Sequence, residues 1–425
     1  MAVNIPTTTI EGAIAAKVGN VDPTTPVLDL RTLQKYASDV GAEALYDSAG
    51  ALPESTDANA GSTYFVKGAT PYDGNSLYLS IGSGVNFQLQ DANTPRADLL
   101  YQGSSYGFST VGPAVTAVST YLEQYSFSTG VTATSLGQIA PTPEAGSPAA
   151  AFRSARGGVT DTGKLNAYIT GSDTTPAKIW KFSLVSATPV NLVGELTNGQ
   201  YSGTNSSDVR NGFGYTAGGV ASPNTYVNTI DKFSFATETN NAVDAGDASE
   251  TGHFRGSGVT DTINAYGYAV GGYSGPGLGN VTATIDRYPF STFTTSTDIG
   301  DLSGVRFWGV ANSSTTHGYH WGGKNQNIPS NAPTQVDRFP FVTPFVTATS
   351  VGDIPSVKQQ QTSSSSNDHM YKTWGQPLPG AGVIATIERF PFANEPGTSE
   401  SVGNLSPVAP TLGSPTAGIM TGHQY

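Results

Sequence analysis

The sequence predicts a mainly β fold: a six-bladed β-propeller over 96–425, preceded by a small N-terminal region of two helices and a β-hairpin module. Three observations carry this prediction. Glycine (51) and proline (27) are abundant and only 12% of the 425 residues are charged, which suits short strands joined by many turns. The hydrophobic period changes from three-to-four to two near residue 45. Beyond residue 100, three landmarks recur six times in one fixed order.

Composition also excludes function classes. Net charge is −12, with no basic stripe to follow a phosphate backbone. The same balance would be repelled by an anionic membrane surface. There is no cysteine, so disulfides, thiolate metal sites and cysteine nucleophiles are ruled out. No apolar run reaches the ~18 residues of a membrane-spanning helix. The opening "MAVNIPTTTI" lacks a secretion-signal pattern, so export by that route is not expected. An apolar content of 37% with 20 Tyr and 18 Phe argues for a packed core rather than disorder.

The elements follow in order. Thr8 with Glu11 reads as a capping box ahead of Ile10, Ala13, Ile14 and Val18. Leu33, Tyr36, Ala37, Val40 and Ala44 share one helical face, which predicts a second helix over 31–45. Together these form an attachment segment, 1–45, that needs a docking surface because each helix is short. The module 46–95 is β. Leu77, Leu79 and Ile81 alternate with polar or aromatic residues, as do Val85, Phe87 and Leu89 after a "GSG" turn, and "STYFV" at 62–66 supplies a further strand. The stretches "LYDSAGALPES" (45–55), "GSTYFV" (61–66) and "NSLYLSIGSG" (75–84) resemble short modules of tail fibres and other virion proteins of bacteriophages, particularly phages of marine cyanobacteria. The resemblance covers about 45 residues and implies a virion component.

The repeats begin at residue 108. The first landmark is an aromatic with glycine four residues on: Phe108, Tyr215, Tyr268, Tyr319 and Tyr371, with Tyr168 ahead of the less regular Gly171. The second is a strand of the form "TIDRYPF" (284–290), whose central aromatics are Tyr125, Phe182, Phe233, Tyr288, Phe339 and Phe390. The third is a glycine in an apolar–Gly–polar–apolar run, at 137, 194, 246, 300, 352 and 403. The central aromatics step by 57, 51, 55, 51 and 51 residues, and each third landmark follows its aromatic by 12 or 13. Units of this length, rich in strands and glycine, are four-stranded blades. The order of landmarks resembles the kelch-type repeat over about 100–425, although "RFPF" replaces the usual aromatic–acid pair. This resemblance implies a kelch-like propeller. Tyr425 stands where a seventh unit would begin, so 414–425 is expected to close the ring as a strand of the first blade.

The strand motif is expected to be structural. Its aromatics are core residues, Pro289 removes a ladder donor where the strand leaves the sheet, and Asp286–Arg287 ties blade to blade. The recurring acids are Glu123, Asp231, Asp286, Asp337 and Glu388, with Trp180 in their place in the second repeat. Carboxylates spread around a ring cannot converge on one bond as a catalytic pair must, so they are read as ties between neighbouring blades. His317 and His320 are three apart on a strand and point to opposite faces, so they cannot chelate one metal. No sialidase box, phosphate-binding loop, nucleophile elbow or calcium loop is present. The expectation is no enzyme, no catalytic residue, no metal and no cofactor. Binding is assigned instead to the variable loops between the first two landmarks, with Tyr226, Tyr273 and Asn325 as contact residues for a glycan or a protein.

The sequence thus reads as a virion protein, a tail fibre, spike or decoration, anchored to other virion proteins by its N-terminal region and displaying the propeller for host-surface binding or particle decoration. It is expected to be a homo-oligomer, with no nucleic-acid partner and no membrane insertion. Two rivals stand beside it: a virion enzyme that degrades host polysaccharide, and a cellular kelch-like scaffold that binds another protein.

Overall fold

The computed structural model describes the backbone of four strands in the first hundred residues and most of 106–406. The segments 112–119, 140–157, 326–333 and 378–384, some shorter loop tips, and the two ends of the chain lie outside the described residues. The chain divides into two compact units, Met1–Ala97 and Asp98–Tyr425.

In the first unit, Thr63–Val66, Ser76–Ser80 and Asn86–Gln90 pair in antiparallel succession. The expected hairpin is present, with Leu79 opposite Phe87, and 63–66 is the additional strand. Glu43–Tyr46 adds a fourth strand, parallel to Thr63–Val66. This corrects the end of the helix expected over 31–45: at 43–45, pairing with a sheet edge overrides local helical preference. The rest of that helix and the one after Thr8 lie outside the described residues.

The second unit is a six-bladed β-propeller. Blade 2 comprises Gly158–Asp161, Asn166–Thr170, Lys178–Ser183 and Asn191–Glu195, from the axis outward. Blade 3 comprises Thr204–Asp208, Phe213–Ala221, Thr225–Ser234 and Val243–Asp247. Blade 4 comprises Ser257–Asp261, Tyr266–Tyr273, Val281–Pro289 and Thr297–Asp301. Blade 5 comprises Phe307–Ser313, His317–Lys324, Gln335–Pro340 and Thr349–Asp353, and blade 6 Thr362–Ser365, His369–Thr373, Thr386–Pro391 and Glu400–Asn404. Blade 1 has Tyr106–Val111, Thr120–Ser126 and Thr134–Ile139 among the described residues. Phe108 pairs with Gln124 there as Tyr215 pairs with Lys232 in blade 3, which makes Tyr106–Val111 a second strand. The closing strand expected from 414–425 lies outside the described residues.

Strand alternation explains the "TIDRYPF" motif. Asp286, Tyr288 and Phe290 point one way, toward the preceding blade, while Ile285 and Arg287 point the other. The landmark tyrosine of each blade enters the aromatic pair of the next. Tyr168 stacks on Phe235 at 4.8 Å, Tyr215 on Phe290 at 4.7 Å, Tyr268 on Phe341 at 5.2 Å, and Tyr319 lies 4.8 Å from Phe392. Tyr371 of blade 6 stacks on Phe127 of blade 1 at 4.5 Å, which closes the ring. Between blades 1 and 2, Phe108 lies in one apolar cluster with Phe182 and Leu184. Four tyrosine hydroxyls also donate to a carbonyl of the blade they enter: Tyr168 to Phe235, Tyr215 to Phe290, Tyr268 to Phe341 and Tyr371 to Phe127. Each ring is thereby buried with its polar tip satisfied.

The glycines have separate reasons. A Cβ on Gly218 would meet the Gly252 carbonyl oxygen at 1.9 Å, and Gly218 and Gly219 both have positive φ. The glycine pair therefore lets the linker between blades 3 and 4 pass directly over the second strand. The third landmark sits at a shift of register between third and fourth strands, found in all six blades. This is a bulge at which the outer strand bends.

Candidate functional site

The recurring acids bind the ring together. Asp231 accepts from the Thr197 N–H (3.0 Å) and hydroxyl (2.6 Å) in the linker that leads in from blade 2. Asp337 does the same with Ser303 at 2.8 Å for both bonds, and Asp286 with Ser249. Glu123 of blade 1 accepts from the Ser406 N–H (3.0 Å) and hydroxyl (2.8 Å) at the end of blade 6. These four carboxylates are thus ties to the neighbouring blade, as the motif led us to expect, each accepting from a backbone amide and a hydroxyl, with a base added at Asp286 and Asp337. Arg287 takes no part; it lies 4.7 Å over Tyr266 of its own blade. The sequence signal for the partner is a Ser or Thr three residues after the landmark glycine, at 197, 249, 303 and 406. The two repeats without it, Ala140 and Pro355, precede the two blades whose third strand departs from the rule. Trp180 replaces the acid in blade 2, and Glu388 of blade 6 pairs with buried Lys372 at 3.0 Å.

The linker contributes a second polar residue at a constant step: Gln200, His253 and Arg306, all buried. His253 Nε2 is 3.1 Å from Asp286, and Arg306 donates to Asp337 at 2.8 Å. His317 and His320 do not share a site. His317 is half-buried, with Nδ1 2.8 Å from the Thr316 hydroxyl. His320 is buried in blade 5, and burial, with Arg306 nearby, holds it well below the usual histidine range and therefore neutral. Among the described residues no group of three His, Asp or Glu side chains is arranged to hold a metal ion.

Two of the three residues assigned to binding come together. Tyr226, from the third strand of blade 3, meets Phe254 edge-on at 5.8 Å, and Tyr273, from the second strand of blade 4, lies 6.1 Å from the same ring. Tyr201 meets Phe254 from a further side at 5.9 Å, while Phe307 lies 4.5 Å from Tyr273 and 4.8 Å from Trp308. The third assigned residue, Asn325, follows the strand His317–Lys324, whose Lys324 stands opposite Phe307; it is half-buried. It therefore shares that end of blade 5, but the cluster is made of rings.

At its centre is Arg255. The guanidinium carbon lies 4.5 Å from the Phe254 ring and 4.8 Å from the Trp308 ring, and the side chain is hydrogen-bonded to Tyr273. Burial lowers its pKa while the hydroxyls of Tyr273, Tyr201 and Tyr226 oppose this; an arginine remains charged throughout the physiological range. Ser202, Arg255 and Trp308 hold one position in blades 3, 4 and 5, with φ of +54°, +61° and +61°. The Arg255 N–H donates to the Ser202 carbonyl and the Trp308 N–H to that of Arg255, both at 2.9 Å. The backbone course repeats around the axis at a cost of roughly 1–2 kcal/mol for each non-glycine residue, whereas the side chains it carries differ. Arg255, Trp308, Phe254 and Tyr201 were not evident from the landmarks; the 53-residue step through 202, 255 and 308 was the available signal.

No family model and no curated protein matches the chain. Among solved structures it is similar to "Structure of YjhT", at 13% identity over 60% of this chain and 84% of that one, with a TM-score of 0.49. A likeness at this level bears on neither activity nor ligand.

Proposed function

We propose that this protein is a structural component of a phage virion, a tail fibre, spike or decoration, whose propeller binds the host surface. The binding face is the end of blades 3 to 5 where Arg255 is held among Tyr201, Tyr226, Phe254, Tyr273 and Trp308. That cluster carries the reading. It combines half-buried aromatic rings, a charged group and a strained backbone at one end of a rigid ring, the combination in which stored strain and amphipathic side chains accompany recognition. It also lies at the strand ends Ala221, Thr225, Tyr273 and Lys324, which flank the non-repeating stretches of sequence. The virion assignment rests on the N-terminal stretches between 45 and 84, which we read as the attachment region to other virion proteins, in a homo-oligomer. The propeller acts here as a binding module rather than a catalyst.

The test is localisation. Antibody raised against the full chain, applied to purified phage particles that encode it, should label a fixed place on the particle by immunogold microscopy. Absence of the protein from purified particles would contradict the assignment.

A further inference from the structure

We propose that the cluster around Arg255 is a subsite for a carboxylate-bearing sugar, a uronic or similarly acidic residue of a surface glycan, with the guanidinium edge binding the carboxylate and the flanking rings taking the sugar's C–H face. This rests on the binding-face reading above and narrows it to a ligand class.

The argument starts from what Arg255 lacks. Its buried counterparts have carboxylate partners: Arg306 meets Asp337 at 2.8 Å and Lys372 meets Glu388 at 3.0 Å. Among the described residues no carboxylate pairs with Arg255; its side-chain partners are the rings of Phe254 and Trp308 and the Tyr273 hydroxyl. Arg255 itself is half-buried, and a partly desolvated guanidinium with no carboxylate beside it favours an anion. Both rings lie close to the guanidinium carbon, and its N–H donors lie in the guanidinium plane. None of its nitrogens is a sealed, unpartnered atom among the described residues. A planar carboxylate matches that edge with two parallel bonds.

The surroundings favour a sugar. Tyr226 and Trp308 are half-buried, Trp308 lies beside the guanidinium, and amphipathic rings of this kind accept the apolar side of a pyranose. On a chain with net charge −12, an isolated anion-binding point is a local feature rather than a general attraction to polyanions.

The test uses the full-length protein and three probes in calorimetric titration: α-1,4-linked trigalacturonate, the neutral trigalactoside of the same linkage, and triglutamate. Trigalacturonate should bind, and the trigalactoside about tenfold or more weaker, as loss of one charge-assisted bidentate contact implies. Arg255→Gln should abolish that difference while preserving the melting temperature. Should that variant fail to fold, Arg255→Lys keeps charge and stem but loses the fork, and should weaken trigalacturonate while leaving the trigalactoside unchanged. Equal affinity for acidic and neutral sugars, both lost in Trp308→Ala, would overturn the carboxylate inference and leave the binding face standing. Triglutamate binding as well as trigalacturonate, no binding of any probe at millimolar concentration, or trigalacturonate binding unaffected by either Arg255 variant would overturn the proposal, while the virion assignment is judged separately on the particle.

Discussion

Asp231 and Asp286 hold the same place in successive blades, yet their acidities move in opposite directions. Burial raises both carboxyls. At Asp286 the hydrogen bond and charge of His253, with two bonds from Ser249, outweigh burial and hold the group below the ordinary aspartate range. At Asp231 the linker supplies Gln200 in place of His253, the Thr197 bonds do not suffice, Asp244 adds repulsion, and the carboxyl is pushed up to about 6. The signs follow from linkage. Asp286 stabilises the fold above the unfolded-state pKa, and this is lost as pH falls through its lower folded value. Asp231 binds its proton more tightly when folded, so it loses stability as pH rises from about 4 to about 6. The melting temperature of Asp231→Asn relative to wild type should therefore climb across that interval and level off above it. A difference that stays flat between pH 4 and pH 7 would remove the charge argument at this position.

At the scale of the element, the inner strand and the next blade's third strand are matched in pairs. Val159 packs with Phe233 and Val259 with Phe339 in shared apolar clusters. Ser206 bonds the Tyr288 hydroxyl at 2.7 Å, and Ser364 bonds that of Tyr125. Apolar residues meet Phe and hydroxyls meet Tyr. The fifth pair breaks the rule: Asn312 stands opposite Tyr319 as Ser206 stands opposite Tyr215, but its counterpart in the next blade is Phe390. Among the described residues neither polar atom of the buried Asn312 amide has a partner. Asn312→Val should then raise stability by about 1–3 kcal/mol, seen as a higher denaturant midpoint at unchanged slope. A lower midpoint would mean that the amide is satisfied in a way these pairings do not capture. This pairing explains what was legible. The alternation in "TIDRYPF" was readable because every blade repeats one two-sided strand, and the third-landmark glycines because every outer strand carries the same bulge. The Ser and Thr partners of the acids were overlooked because a single hydroxyl in a Ser/Thr-rich chain has no contrast. The strand at 43–46 was obscured because four residues continuing a helical pattern reveal nothing of the sheet edge they meet.

In the whole molecule, the repeated parts and the proposed binding face separate. The six aromatic junctions and the acid ties close the ring through Tyr371–Phe127 and Ser406–Glu123; the recurring aromatics and acids were legible from their spacing, whereas these particular partners were not. The candidate site was only half predictable. Tyr226 and Tyr273 were identified from the variable stretches of sequence and lie at strand ends, whereas Arg255 and Trp308 sit on a repeating backbone position whose residue type alone changes. Chemistry placed on a constant backbone course is hidden from a search for either repeats or unusual loops. The central claim is that this non-repeating surface, rather than the repeated motif, contacts the host. The most direct measurement is adsorption of fluorescently labelled full-length protein to intact host cells, wild type against Tyr226→Ala/Trp308→Ala, with melting curves to show that both are folded. We expect saturable binding by the wild type and a loss of tenfold or more in the double variant, about 1.4 kcal/mol or greater. Equal adsorption by the two folded proteins would contradict it.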